Sequence, residues 1–203
     1  MSSPQDIRLA TDLLKERTRE LHRLVDRHPL MQRVVAKDLT AAEYGQILAS
    51  LYSWHEHLAP VLDTLRLEPD FYSIDKLAAL AEDLHWLPHT TIAAEHSLLS
   101  EHADEAYALG VLYVVEGSTL GAQFIAPRVE ASLESQRVTH YYRIYGDAVT
   151  SNWRTTQIIL NNSLDVIASI ERALEGARDA FRSLLAVVDL HLIEPERFEV
   201  SFV

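Results

Sequence analysis

Apolar residues recur at helical spacing along most of the chain, and no run shows sustained strand-like alternation. The first periodic segment covers about residues 6–27. It should stop before Pro29, because the residue preceding a proline is pushed out of the helical region. The second starts at Thr40-Ala-Ala-Glu43, a capping box, with Leu39 and Tyr44 placed as a hydrophobic staple. It runs toward Arg66, and Pro60 should kink it. Shorter helices are predicted at about 74–86 and 91–99, and a long one at about 104–133. Residues 137–147 read as a loop. The region 150–192 reads as one long helix or two consecutive ones. Asn161-Asn162-Ser163 is the expected break, since Asn and Ser favour caps over helix interiors. The pattern therefore predicts an all-α chain of six or seven helices.

A length of 203 residues suits one domain over 1–203, able to bury roughly 70% of its unfolded surface. There is no cysteine, which excludes disulfides, thiolate zinc sites, Fe–S clusters and cysteine nucleophiles. That is compatible with a cytoplasmic location, which is the expectation. The opening MSSPQDIRLATDLLKERT lacks the uninterrupted apolar core of a signal peptide. The longest apolar-rich run, 106–115, falls short of the ~20 residues that span a bilayer, so no membrane anchor is expected.

Net charge is −12, from 18 basic and 30 acidic residues, which argues against nucleic acid as a partner. The charge is uneven. Residues 1–37 hold eight basic and five acidic side chains, net +3, leaving −15 for the remainder. The first helix is then either a solvated charged face or a local anion site.

Three of the six glycines, Gly110, Gly117 and Gly121, fall inside the long helix. Each costs about 1 kcal/mol relative to alanine. Gly117 and Gly121 are one turn apart, and Gly110 lies on nearly the same face two turns earlier. Something must approach that backbone closely. Spacing leaves open a tight helix crossing or a flat ligand lying on bare backbone, with Ser118 adding a hydroxyl beside it.

On the first helix Lys15, Arg19, His22 and Asp26 share a face. A neutral imidazole binds a metal through one nitrogen and needs its other N–H held by an acceptor. Asp26, one turn on, can be that acceptor. The plainer alternatives are that His22 is one ordinary histidine among ten, and that the cations pair with Glu16 and Glu20.

Taken together, LLKERTRELHRLVD (13–26) and ALGVLYVVEGSTLGAQ (108–123) resemble the haem oxygenase family. Weaker echoes follow in Tyr145-Gly-Asp147, Trp153, Asn162-Ser-Leu-Asp165 and Asp179-Ala-Phe181, in an order that covers most of the chain. The resemblance implies a single-domain helical bundle with haem between the first helix and a glycine-kinked distal helix. His22 would be the iron ligand and Asp26 its acidic neighbour. Lys15 would meet the propionates, about 10 Å back along the helix at 1.5 Å per residue, with Thr18 and Arg19 also on the cofactor. Gly117, Ser118 and Gly121 would form the catalytic distal wall. Haem b would be both substrate and cofactor, opened to biliverdin, CO and Fe2+ with O2 and with electrons from a ferredoxin or reductase. A neutral histidine ligand leaves iron able to bind O2 with less electron push than a thiolate. A glycine wall with no histidine or arginine beside it directs oxygen to a ring edge.

The EGSTLG form looks more like the bacterial biliverdin-producing branch, including enzymes that supply a bacteriophytochrome. Some positions depart from the better-known members. Ser118 stands where mammalian-type members carry an aspartate, and Val114 and Ile158 stand where some carry arginines. Arg154, Arg178 and Arg182 are candidate replacements. Two other readings fit less of the chain. A non-haem di-iron site wants Glu-x-x-His pairs on two helices. Glu82-Asp-Leu-His85 is the one such pair, and His55-Glu56-His57 and Glu95-His96 do not complete the set. A non-catalytic haem carrier or sensor would share the same fold.

Overall fold

Side chains cap the starts of several of the described helices. Thr40 accepts from the Glu43 backbone N–H while the Glu43 carboxylate takes the Thr40 N–H, and Leu39 and Tyr44 are both buried in the core. Asp104 caps the long helix by accepting from Tyr107 N–H at 2.8 Å. In the computed structural model, residues 9–65, 75–88, 99–100 and 102–193 are described. Among them are α1 (Ala10–Arg27), α2 (Pro29–Arg33), α3 (Ala41–Leu62), α4 (Lys76–His85), α5 (Glu105–Leu133), α6 (Val149–Ser163) and α7 (Ile167–Ile193). A 3-10 turn covers Gly146–Ala148. The break after Asn161-Asn162-Ser163 is present, and Asn161 also accepts from the Thr11 backbone N–H, tying α6 to the start of α1. The helix expected at 91–99 lies almost wholly outside the described residues.

α1 stops at Arg27, before Pro29 as expected; Pro29 itself, after an extended His28, opens the additional short helix α2, where its missing N–H is harmless. One expectation needs correction: the apolar part of the long helix extends further than 106–115. By length and composition α5 could cross a bilayer, but 56% of its most apolar window is buried inside the bundle. It is the central core helix.

The close approach behind Gly110 is α7. A Cβ at Gly110 would lie 1.8 Å from the Ala173 carbonyl oxygen, and one at Gly176 would lie 2.1 Å from that of Tyr107. The two helices cross backbone to backbone at these reciprocal glycines. Gly110 therefore does not belong to one groove with Gly117 and Gly121. Sharing a helix face is not sharing a neighbour, because two turns along the axis, about 10 Å, the partner on that face changes.

The loop after α5 is pinned from below. Asp83 of α4, fully buried, accepts the backbone N–H groups of His140 and Tyr141 at 2.8 and 2.9 Å and meets His140 Nδ1 at 2.8 Å. Tyr44 donates to the Val138 carbonyl at 2.7 Å. His55 of α3 meets the Tyr141 hydroxyl at 2.9 Å through Nε2. Burial, with the Lys76 charge nearby, pushes the His55 imidazole down to about 3.

Gly110→Ala should force α5 and α7 apart and lower stability by about 3 kcal/mol or more in urea melts. The second prediction concerns acid. His55 protonates in the unfolded chain near 6.5 but in the folded chain only near 3. Stability should therefore fall as pH drops from about 6.5 toward 3, by up to ~1.4 kcal/mol per pH unit. Thermal melts of His55→Gln should show a shallower slope across that window than the unsubstituted chain.

Candidate functional site

Helices α1 and α5 touch at one end of a shared groove. Thr18 is buried; its hydroxyl donates to the Leu14 carbonyl at 2.7 Å and lies beside Tyr113 of α5. Further along both helices Val25 and Asp26 on one side and Ile125 on the other line an open cavity of about 550 Å³, with Met31 and Val35 beside them. That volume lies in the usual range for small-molecule sites. His22 falls between Thr18 and Val25. Gly117 and Gly121 fall between Tyr113 and Ile125.

His22 is held as a metal-binding imidazole should be. Its Nδ1 lies 2.9 Å from Asp26 Oδ2, which fixes the tautomer and leaves the Nε2 lone pair for a ligand bond. The edge of its ring meets Phe181 of α7, centroids 5.8 Å apart. The imidazole is still 60% exposed, so it is reachable by a ligand.

The cations of α1 are neutralised only in part by helix-surface pairing. Glu20 pairs with Arg23 at 3.7 Å, and Arg17 reaches across to Glu171 of α7. Lys15 and Arg19 are exposed and have no ion-pair partner among the described residues. They remain two uncompensated positive charges on the His22 helix. Of the candidate replacement arginines, Arg182 pairs with Asp179 at 3.2 Å, while Arg154 is exposed and Arg178 half-buried.

On α5 the distal glycines differ from Gly110. The nearest atoms to a Cβ at Gly117 would be the Trp153 ring at 3.6 Å, and to one at Gly121 the Ile125 Cδ1 at 3.9 Å. Both are ordinary contact distances, so no helix crossing requires these two glycines. Trp153 of α6 stands with Tyr113, ring centroids 5.7 Å apart, at the Gly117 end of the groove. Leu120 and Phe124 add exposed apolar flanks, Phe124 at 67%. Ser118 donates to the Val115 carbonyl at 2.7 Å, with Tyr141 nearby, so it is not an isolated hydroxyl. The Tyr141 hydroxyl in turn meets buried His55.

Thr18 thus belongs to the contact between the helices rather than to open groove. Phe181 and Trp153 stand in the sequence only as weaker family echoes; their places beside His22 and Tyr113 depend on contact with residues far away in the chain. For the di-iron alternative, no group of three or more His, Asp or Glu side chains that could hold a metal ion occurs among the described residues. Glu95 and His96 lie outside them.

The haem oxygenase family model matches residues 8–189. A haem oxygenase of Xanthomonas campestris pv. campestris is 30% identical over 157 residues, covering 75% of this chain and 92% of that protein. Among solved structures, the NO- and CO-bound haem oxygenase of Neisseria meningitidis superposes with a TM-score of 0.71 at 21% identity, over 96% of this chain and 98% of that one. A haem oxygenase of the cyanobacterium Synechocystis, solved in complex with haem, gives 0.63 at 13% identity, over 91% and 92%. The solved structures share the fold; the sequence matches, spanning the His22 helix and the glycine helix alike, carry the assignment. The chain belongs to the haem oxygenase family of haem-degrading enzymes.

Proposed function

We propose that the α1–α5 groove binds haem as the substrate, with His22 Nε2 on the iron and Asp26 holding the ring. Lys15 and Arg19 meet the propionates, and the bare backbone at Gly117 and Gly121 faces the opposite side of the macrocycle. The observation that carries this reading is the behaviour of the glycines. Gly110 is filled by α7, whereas Gly117 and Gly121 face no protein atom closer than 3.6 Å. Among the described residues no close helix crossing offsets the cost of these two helix-interior glycines, about 1 kcal/mol each, and a flat ligand is what bare backbone accommodates.

The reaction is O2- and electron-dependent opening of the haem ring to biliverdin, CO and ferrous iron. Bound haem supplies the oxygen-binding iron and is itself consumed. The protein's part is placement. His22 and Asp26 fix one face, and Gly117 and Gly121 crowd the other without side chains. Ser118, backed by Tyr141, offers a hydroxyl where stronger proton donors would favour other oxygen chemistry. Electrons come from a ferredoxin or reductase in the cytoplasm. The EGSTLG motif favours the bacterial branch, with a bacteriophytochrome as one recipient of biliverdin.

Haem titration followed by one reductive turnover with ascorbate or a ferredoxin system tests the reading. The expected result is a Soret band that decays as a biliverdin band appears; a stable ferric or oxy spectrum with no biliverdin would identify a carrier instead. His22→Ala should lose the proximal ligand and most turnover. Wild-type spectra and biliverdin yield in that variant would overturn the assignment. Gly121→Ala should separate ligand space from packing. The apo protein should gain up to ~1 kcal/mol in urea melts, while haem affinity and biliverdin yield both fall.

A further inference from the structure

Glu116 is a carboxylate in the most apolar helix of the chain, immediately before the first distal glycine, and it is only 2% exposed. Lys76, the first residue of α4 and itself 10% exposed, donates from Nζ to Glu116 Oε1 at 2.7 Å. The Tyr145 hydroxyl, next to the 3-10 turn, lies 2.9 Å from Oε2 and 3.1 Å from Oε1. Lys76 Nζ is also 2.8 Å from that hydroxyl and 4.8 Å from the centre of its ring. The donors close a ring of three: Lys76 donates to Tyr145 and to Glu116, and Tyr145 donates its one proton to Glu116.

A buried ion pair is a weak source of stability, since well-packed apolar groups of the same volume often do as well. Its use here is better sought in what it holds. The turn of α5 that begins at Gly117 lacks side chains on its groove face, and glycine backbone is intrinsically permissive. Among the described residues only the Trp153 ring stands over that side, 3.6 Å from where a Cβ of Gly117 would lie, and it makes no polar contact there. The residue before Gly117 is gripped from within the bundle, Glu116 by Lys76 and Tyr145, while Ser118 on the other side is tied by its hydroxyl to the Val115 carbonyl of the same helix.

We infer that Glu116, through Lys76 and Tyr145, is a positioning residue that fixes the Gly117 backbone against the groove, and that it thereby selects the orientation of the haem ring and the ring carbon that is opened. It touches no substrate. The inference rests on the haem-degrading reading above.

The test compares Glu116→Gln, Lys76→Met and Tyr145→Phe with the unsubstituted protein, reading the biliverdin regioisomers by chromatography and the Fe–CO stretch of the CO complex. Val129→Ala, fully buried in the last turns of α5, serves as a control for lost stability. The unsubstituted protein must first bind haem and yield biliverdin; failure at that step rejects the functional reading itself. If it does, the three variants should keep the histidine-ligated Soret spectrum but change the isomer ratio by about threefold or more, with a shifted or broadened Fe–CO stretch. Val129→Ala should change neither. Tyr145→Phe removes one hydroxyl and carries the test if Glu116→Gln fails to fold. An unchanged ratio and stretch in the folded variants, or an equal change in Val129→Ala, would overturn the inference.

Discussion

The backbone crossing of α5 and α7 is the contact on which the other placements depend. With Gly110 against Ala173 and Gly176 against Tyr107, the two longest helices meet where no side chain could intervene. Their relative position is therefore set by main-chain contact and not by adaptable side chains. Other elements are referred to this pair. Trp54 of α3 donates from Nε1 to the Ala180 carbonyl at 2.9 Å, one turn beyond Gly176. The Tyr107 hydroxyl lies 3.0 Å from Asp179 Oδ2. Phe181, on the same stretch of α7, is the side chain that meets His22. The ring that meets His22 is thus carried by the helix whose distance from α5 is set by backbone contact.

That arrangement explains how one helix can use glycine for opposite ends. At Gly110 the missing side chain lets protein approach; at Gly117 and Gly121 it leaves room that protein does not take. A helix with this composition would be soft if nothing else held it. Asp83 pins the loop that bears Tyr141, and Lys76 holds the carboxylate next to Gly117. Both come from α4, which reaches the distal side only through these polar contacts and the core beneath them.

Much of this was legible in the chain itself. The Thr40–Glu43 capping box, the Asp104 cap, the break at residues 161–163 and the His22–Asp26 pair are local features, decided within about one helical turn. The all-α class followed from periodicity, and the family from two motifs read together. What was not legible depends on residues distant in the chain. Gly110 and Gly117 carry the same local signal and differ only in what α7 and α6 bring to them. Thr18 reads as a polar residue on a ligand helix until Tyr113 is known to be its partner. The Lys76–Glu116–Tyr145 cluster joins residues 29, 40 and 69 positions apart, and its one clue was a charge inside an apolar run. Short α2 was obscured because Pro29 signals a stop and a start equally well.

The supports of α1 are unevenly spread. Its first half is tied to α6, α7 and α5 at Thr11, Arg17 and Thr18. Just past its end, His28 is buried and meets Asp189 of α7 at 3.0 Å. Between these piers the helix carries His22 and Asp26, both largely exposed, and Asp26 lines the open cavity. A beam held at two points deflects most between them. The span of α1 that carries His22 is therefore the one that can bend while breaking the fewest polar ties to other helices among the described residues.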